Sequence, residues 1–240
     1  MSRTIELLRS TFILVSALHS NSLELATVSE EQGADALEVH LNLEDAAFAV
    51  RFGNIDLEET AIKEIIGSVK IPVGVCIGEM PIVSKEEWEN IVDTGVDYVK
   101  MLAHHMPSYV YNDDRVSKIV EIGIGYIVEQ VKILAEDSKI GAIEASIVTP
   151  QVFRHPLNLL DICTYTLITR LSSRPVIVPT QKFIEPSDLR LLRKIGVRGI
   201  VTNPIVTGTT VESYRVIEDY KKIAAELDRS FLEQKLFDRT

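Results

Sequence analysis

Glu38, His40, Lys100 and Glu144 are the side chains of this 240-residue chain whose types and spacing suit proton transfer. Glu38 and His40 lie in the stretch Gly33-Ala34-Asp35-Ala36-Leu37-Glu38-Val39-His40-Leu41-Asn42. Strand side chains alternate, so Leu37, Val39 and Leu41 share one face, and Glu38, His40 and Asn42 share the other. The phrase that leads into this strand recurs as Gly95-Val-Asp-Tyr-Val-Lys100, Gly141-Ala-Ile-Glu144 and Gly196-Val-Arg-Gly-Ile-Val. Aligning the repeats gives Lys100 the phase of Glu38, and places Glu144 and Ser146 on an inward face as well. An isolated buried charge is costly, so these groups must pair with one another or face a polar cavity. Two carboxylates, an imidazole and an ammonium with ionisation moved by burial and by neighbours make a general acid/base set. The competing reading is a buried ion network that only sets geometry. A metal set from Glu38, His40, Glu79 and Glu144 has suitable donors but no close-spaced motif, and no metal ligand is assigned.

The elements that must hold these groups alternate. Thr11–Leu18 reads as a buried strand. A helix from Asn21 or Ser22 ends at Gly33, where the organising strand begins. Leu43 to Ile55 is a long connection, partly helical around Glu44–Arg51. Asp56-Leu57-Glu58-Glu59 starts a helix that buries Leu57. Pro72–Gly78 is a third strand, and Ser84-Lys85-Glu86-Glu87 is a capping box. Asp97–Ala103 is a fourth strand. The middle stays open. A helix begins at Asp113 or Asp114 and runs through Ile119 to Gly123, followed either by a short fifth strand at Tyr126–Glu129 or by more of the same helix. Ile140–Val148, Pro175–Thr180 and Val197–Thr202 complete the strands. Helices start at Pro156, at Pro186 and after Thr210. Strands separated by helices form a parallel sheet covered on both faces. With the fifth strand counted there are eight units, a single-domain (β/α)8 TIM barrel. Residues 228–240 then form a C-terminal helical extension, a second helix after the long one that follows Thr210.

In such a barrel the working end is the C-terminal end of the strands. All five histidines, His19, His40, His104, His105 and His155, map to it. So does the pair of segments after the last two strands. Lys182, Thr207, Gly208, Thr209 and Thr210 are the expected phosphate-binding group there, because a helix start with exposed N–H groups favours an anion.

Composition bounds the partners. A net charge of −10 and a pI near 5.1 argue against nucleic acid. No apolar run reaches the ~18–20 residues of a membrane span. Cys76 and Cys163 are isolated, which fits a reduced, cytoplasmic setting. The expected partner is a small, anionic substrate, with a homodimer possible through the tail.

The run Ile71–His104, with Gly-Glu-Met-Pro after its strand, Trp88 to Gly95 and then Val-Asp-Tyr-Val-Lys, resembles the third and fourth units of the ribulose-phosphate-binding barrels. Pro175–Gly208 is similar to their seventh and eighth units. The resemblance implies a phosphorylated carbonyl metabolite, acted on by an isomerase, an epimerase or an aldolase-type lyase. Glu144 or Glu38 would be the base, Lys100 would stabilise an enediolate or form an imine, and His40 would donate or orient. No particular cofactor follows. Two other readings stand beside this one. One is a flavin- or nucleotide-binding oxidoreductase, since the organising strand resembles that of dihydroorotate-dehydrogenase-like barrels, with His40 in place of an Asn. The other is a non-catalytic ligand-binding barrel.

Overall fold

The computed structural model describes residues 2–45, 50–79 and 81–237. Its strands are β1 (Ile13–Ala17), β2 (Ala36–Leu41), β3 (Glu44–Asp45), β4 (Val50–Arg51), β5 (Val73–Ile77), β6 (Tyr98–Leu102), β7 (Ser117–Ile122), β8 (Ile140–Ala145), β9 (Val176–Pro179) and β10 (Gly199–Thr202). Eight of them close a parallel barrel, with β2 and β10 both pairing with β1, while β3 and β4 form a separate antiparallel pair. The helices are α1 (Arg3–Ser10), α2 (Leu23–Glu31), α3 (Ile55–Ser68), α4 (Lys85–Asp93), α5 (Ser108–Asn112), α6 (Val128–Glu136), α7 (Leu159–Leu171), α8 (Leu189–Lys194), α9 (Pro204–Thr207) and α10 (Val216–Phe237). No helix among the described residues is long and apolar enough to cross a membrane. The expected TIM barrel is therefore the observed fold.

Alternation along the strands divides the interior in two. Leu37, Val39, Val99, Val120 and Ile143 face outward and pack under the helices. Ile13, Val15, Ala36, Tyr98, Ile119, Ala142, Ile177 and Val201 fill the barrel itself, and α1 closes its floor with Ile5 and Leu8. Asp97 holds α1 in place by accepting bonds from Ser2 Oγ (2.5 Å) and from the N–H groups of Arg3 (2.8 Å) and Thr4 (2.9 Å). The repeat glycines Gly33, Gly95 and Gly196 all sit at positive φ, where each ends a helix and turns the chain into a strand. The Ser84–Glu87 capping box forms as expected.

Four local expectations are corrected. The fifth barrel strand is Ser117–Ile122 rather than Tyr126–Glu129, which lies in the turn and start of α6. Ile119, Val120 and Ile122 are β-branched and apolar, and so short a run fits helix and strand alike. Pairing between β6 and β8 decides it. Within Glu44–Arg51, β3 and β4 replace the expected helix, and residues 46–49 lie outside the described residues. Leu57 is exposed, because α3 starts at Ile55 and turns Ile55, Ile62 and Ile65 inward instead. The tail is not a second helix: α10 runs unbroken to Phe237, and residues 238–240 lie outside the described residues.

Gly74 explains how one ring crosses the barrel. A Cβ built there would stand 2.1 Å from Tyr98 Cζ. The missing side chain is the space that the buried Tyr98 ring fills on its way to Glu38. Gly74→Ala should therefore cost about 1–3 kcal/mol through overpacking, read as a lower urea midpoint at unchanged slope. An unchanged midpoint would contradict this placement of the ring.

Candidate active site

Glu38, Lys100 and Glu144 meet inside the barrel near the C-terminal ends of β2, β6 and β8. Lys100 Nζ donates to Glu38 Oε1 (2.7 Å) and to both oxygens of Glu144 (2.9 and 3.0 Å). Tyr98 donates its hydroxyl to the other Glu38 oxygen at 3.2 Å. All four residues are at least 95% buried. The register explains the convergence. His40 lies beside Cys76, Cys76 beside Lys100, and Glu121 beside Glu144. Each therefore points inward from a neighbouring strand. His40 Nε2 approaches Glu38 Oε1 at 3.8 Å, and its ring stacks on Phe52 with centroids 4.7 Å apart. Asn21 clamps the His40 backbone from both sides, accepting from its N–H (3.0 Å) and donating to its carbonyl (2.8 Å). Glu58 accepts from Asn21 and from Gly53 N–H, which ties β2 to the segment carrying Phe52.

Above this group lies a cavity of about 180 Å³, open to solvent on one side. Glu38, His40, Cys76, Lys100, Glu121 and Glu144 form its floor, and Phe52, Phe153, Ser146, Gln181 and Asn203 line its walls. A larger groove of about 360 Å³ sits at the opposite, N-terminal end of the strands, among Lys70, Asp97 and Arg115. It contains none of the inward-facing charged residues, so the smaller cavity is the candidate site.

Ionisation follows from this packing. Burial works against a charge on Lys100, but the acidic groups around it, Glu144, Glu38 and Glu121, prevail and hold it well above the usual lysine range. Burial pushes Glu144 up to about 8, with Lys100 opposing and Glu38 and Glu121 reinforcing the shift. Burial, helped by the Lys100 charge, lowers His40 to about 3. Burial also raises the Cys76 thiol and the Tyr98 phenol. Near neutral pH the site thus holds an ammonium, a neutral imidazole and a carboxyl poised to take or give a proton.

The other expected site residues lie elsewhere. Lys182 is buried, but its Nζ faces Asp161 of α7 at 3.5 Å rather than the cavity. It has the outward phase of Val178 and Thr180, whereas Gln181 has the inward phase. Thr207 ends the short α9 and donates to the Gly208 carbonyl, and Thr210 caps the turn that leads into α10. Gly208 and Thr209 join these two pieces, and none of this group lines the cavity. His19 lines the cavity and bonds the Tyr214 hydroxyl. The rings of His104 and His105 pack against each other at a 60° tilt after β6, and His155 is exposed. Tyr98, Cys76, Glu121 and Gln181 were not singled out as site residues from the sequence. The phase of Tyr98, Cys76 and Gln181 was readable by alternation along their expected strands, whereas that of Glu121 was not, because its segment reads equally as helix.

The donor atoms of Glu38, His40 and Cys76 lie within 4.8 Å of one another and could hold a metal ion. The Lys100 ammonium already occupies the same carboxylate, and a divalent cation beside it would meet a like charge. The arrangement suits the ammonium better.

No family model matches the chain, and no curated protein matches it. Solved structures do. A tryptophan synthase alpha-subunit variant from the hyperthermophile Pyrococcus furiosus aligns over 89% of this chain and 99% of its own, at TM-score 0.69 and 14% identity. Mycobacterium tuberculosis tryptophan synthase aligns over 93% and 98%, at TM-score 0.72 and 12% identity. At these identities the likeness is one of fold.

The two shifted groups move stability in opposite directions. His40 is depressed in the folded chain, so the unfolded state binds the extra proton and stability falls as pH drops from about 6.5 to 3. Glu144 is raised, so the folded state holds the extra proton and stability falls as pH rises from 4.5 to about 8. In urea titrations His40→Asn should flatten the acid-side loss, and Glu144→Gln should flatten the loss toward pH 8. Variants whose pH profiles match the parent would contradict these assignments.

Proposed function

We propose that this chain is a TIM-barrel enzyme that moves a proton on the carbon next to the carbonyl of a small metabolite, as in isomerisation, epimerisation or aldol-type cleavage. The observation that carries this reading is the bridge of Lys100 between Glu38 and Glu144 on the floor of an open cavity. Glu144, as carboxylate, takes the proton from carbon. The electron pair moves to the carbonyl oxygen, and the Lys100 ammonium offsets the negative charge that develops. Returning a proton to the opposite face of the same carbon completes an epimerisation; returning it to the former carbonyl carbon, with the hydroxyl proton of the first carbon passing to the former carbonyl oxygen, completes an isomerisation. Imine formation would need Lys100 as the free amine, and the acidic groups around it favour the ammonium. An electrostatic role is therefore the better supported one. Neutral His40, held in the floor against Phe52, orients the substrate.

The lining also bears on the substrate. Three glutamates and one lysine face the cavity, and Lys182 does not. Such a floor favours a neutral or cationic carbonyl compound over the phosphorylated one that the resemblance implied. A volume of about 180 Å³ suits a molecule well below drug size.

The test is exchange of carbon-bound hydrogen with D2O across a panel of small ketones and aldehydes. The chain should catalyse it for at least one of them, with a rate that rises with pH toward about 8 as Glu144 ionises. Glu144→Gln should lower that rate by about 10²–10⁴-fold, the usual worth of a general base. Binding with no exchange for any compound would favour the non-catalytic barrel, and a yellow purified protein would favour the flavin-binding one.

A further inference from the structure

Gln181 makes two hydrogen bonds whose directions chemistry fixes. The Val148 N–H can only donate, so the atom it meets at 3.2 Å must be the amide oxygen of Gln181. That turns the amide nitrogen toward Ser146 Oγ, 2.7 Å away. An NH2 group can only donate, so Ser146 Oγ is the acceptor there. The Ser146 hydroxyl proton must then point elsewhere, and among the described residues no protein acceptor takes it. Gln181 Nε2 keeps a second hydrogen in the same position. Ser146 and Gln181 both line the cavity, and Ser146 follows Glu144 by two residues along the same inward phase.

We propose that the Ser146 hydroxyl and the second N–H of Gln181 form a donor pair that receives the carbonyl oxygen of a small, neutral ketone or aldehyde. The ligand class rests on the function proposed above; the donor geometry does not. With its oxygen held by this pair, the substrate directs the neighbouring carbon toward Glu144. Gln181 has a double role. It donates to the ligand directly, and it positions Ser146 by taking up one lone pair of the hydroxyl.

The experiment is calorimetric titration of the full chain with two probes, hydroxyacetone and 1-propanol, which lacks the carbonyl. The parent should prefer hydroxyacetone. Ser146→Ala removes one donor. Gln181→Glu still accepts from Val148 but has no N–H, and it draws the Ser146 proton toward itself. Each variant should weaken hydroxyacetone binding about three- to tenfold and leave 1-propanol binding unchanged, a selectivity that a general packing defect would not produce. Glu144→Gln should keep the preference while losing hydrogen exchange. If the parent shows no exchange but the preference exists and both variants erase it, the donor pair stands and the proposed chemistry falls. No preference in the parent, or equal weakening of both probes in the variants, overturns the donor pair.

Discussion

An ammonium group deep inside a barrel is the constraint on which the rest of this structure depends. Lys100 sits on β6 among apolar layers, where a lone charge would be prohibitively expensive. Glu38 from β2 and Glu144 from β8 compensate it at hydrogen-bonding distance. Three strands far apart in sequence must therefore keep one register. A slip of one residue in any of them would turn its charged side chain out among the helices and leave the others unpaired. Buried ion pairs are poor sources of net stability but costly to break on one side. The group is accordingly better understood as a device that the fold supports than as one that supports the fold.

What the device provides is a difference between two like side chains. Glu38 shares its oxygens between Lys100 and the Tyr98 hydroxyl. Glu144 faces the same ammonium but lies near Glu121 and Glu38, and burial dominates its ionisation. Paired carboxyls in unequal surroundings are a common way to obtain one group that titrates near neutral pH. The site is built on strands rather than loops, and α1 closes the barrel floor behind it. The cavity thus reaches the charged group from the C-terminal side, where Phe52, Phe153 and Asn203 frame the mouth.

Much of this was legible in the residues. Alternation in Leu37–Asn42, and the same phase in the Gly95 and Gly141 repeats, point Glu38, Lys100 and Glu144 at one place. The barrel followed from the strand–helix rhythm. Two kinds of feature escaped. Ser117–Ile122 is too short for its period to separate strand from helix, and only pairing with β6 and β8 distinguishes them. Lys182 was grouped with Thr207–Thr210 because both follow late strands, yet parity along β9 turns Lys182 outward toward Asp161 and Gln181 inward. Charge drew attention to the lysine, while its neutral neighbour faces the cavity. Tyr98 escaped for a related reason: its reach to Glu38 depends on Gly74 in the adjacent strand, a cross-strand relation that no single segment displays.

The most direct measurement of the central claim is a carbon-13 NMR titration of the glutamate side-chain carboxyls, with Glu144→Gln used to assign the Glu144 signal. The account predicts that the signal missing from the variant titrates near pH 8 in the parent. A Glu144 carboxyl that titrates near 4.5, the ordinary value for its side chain, would contradict it.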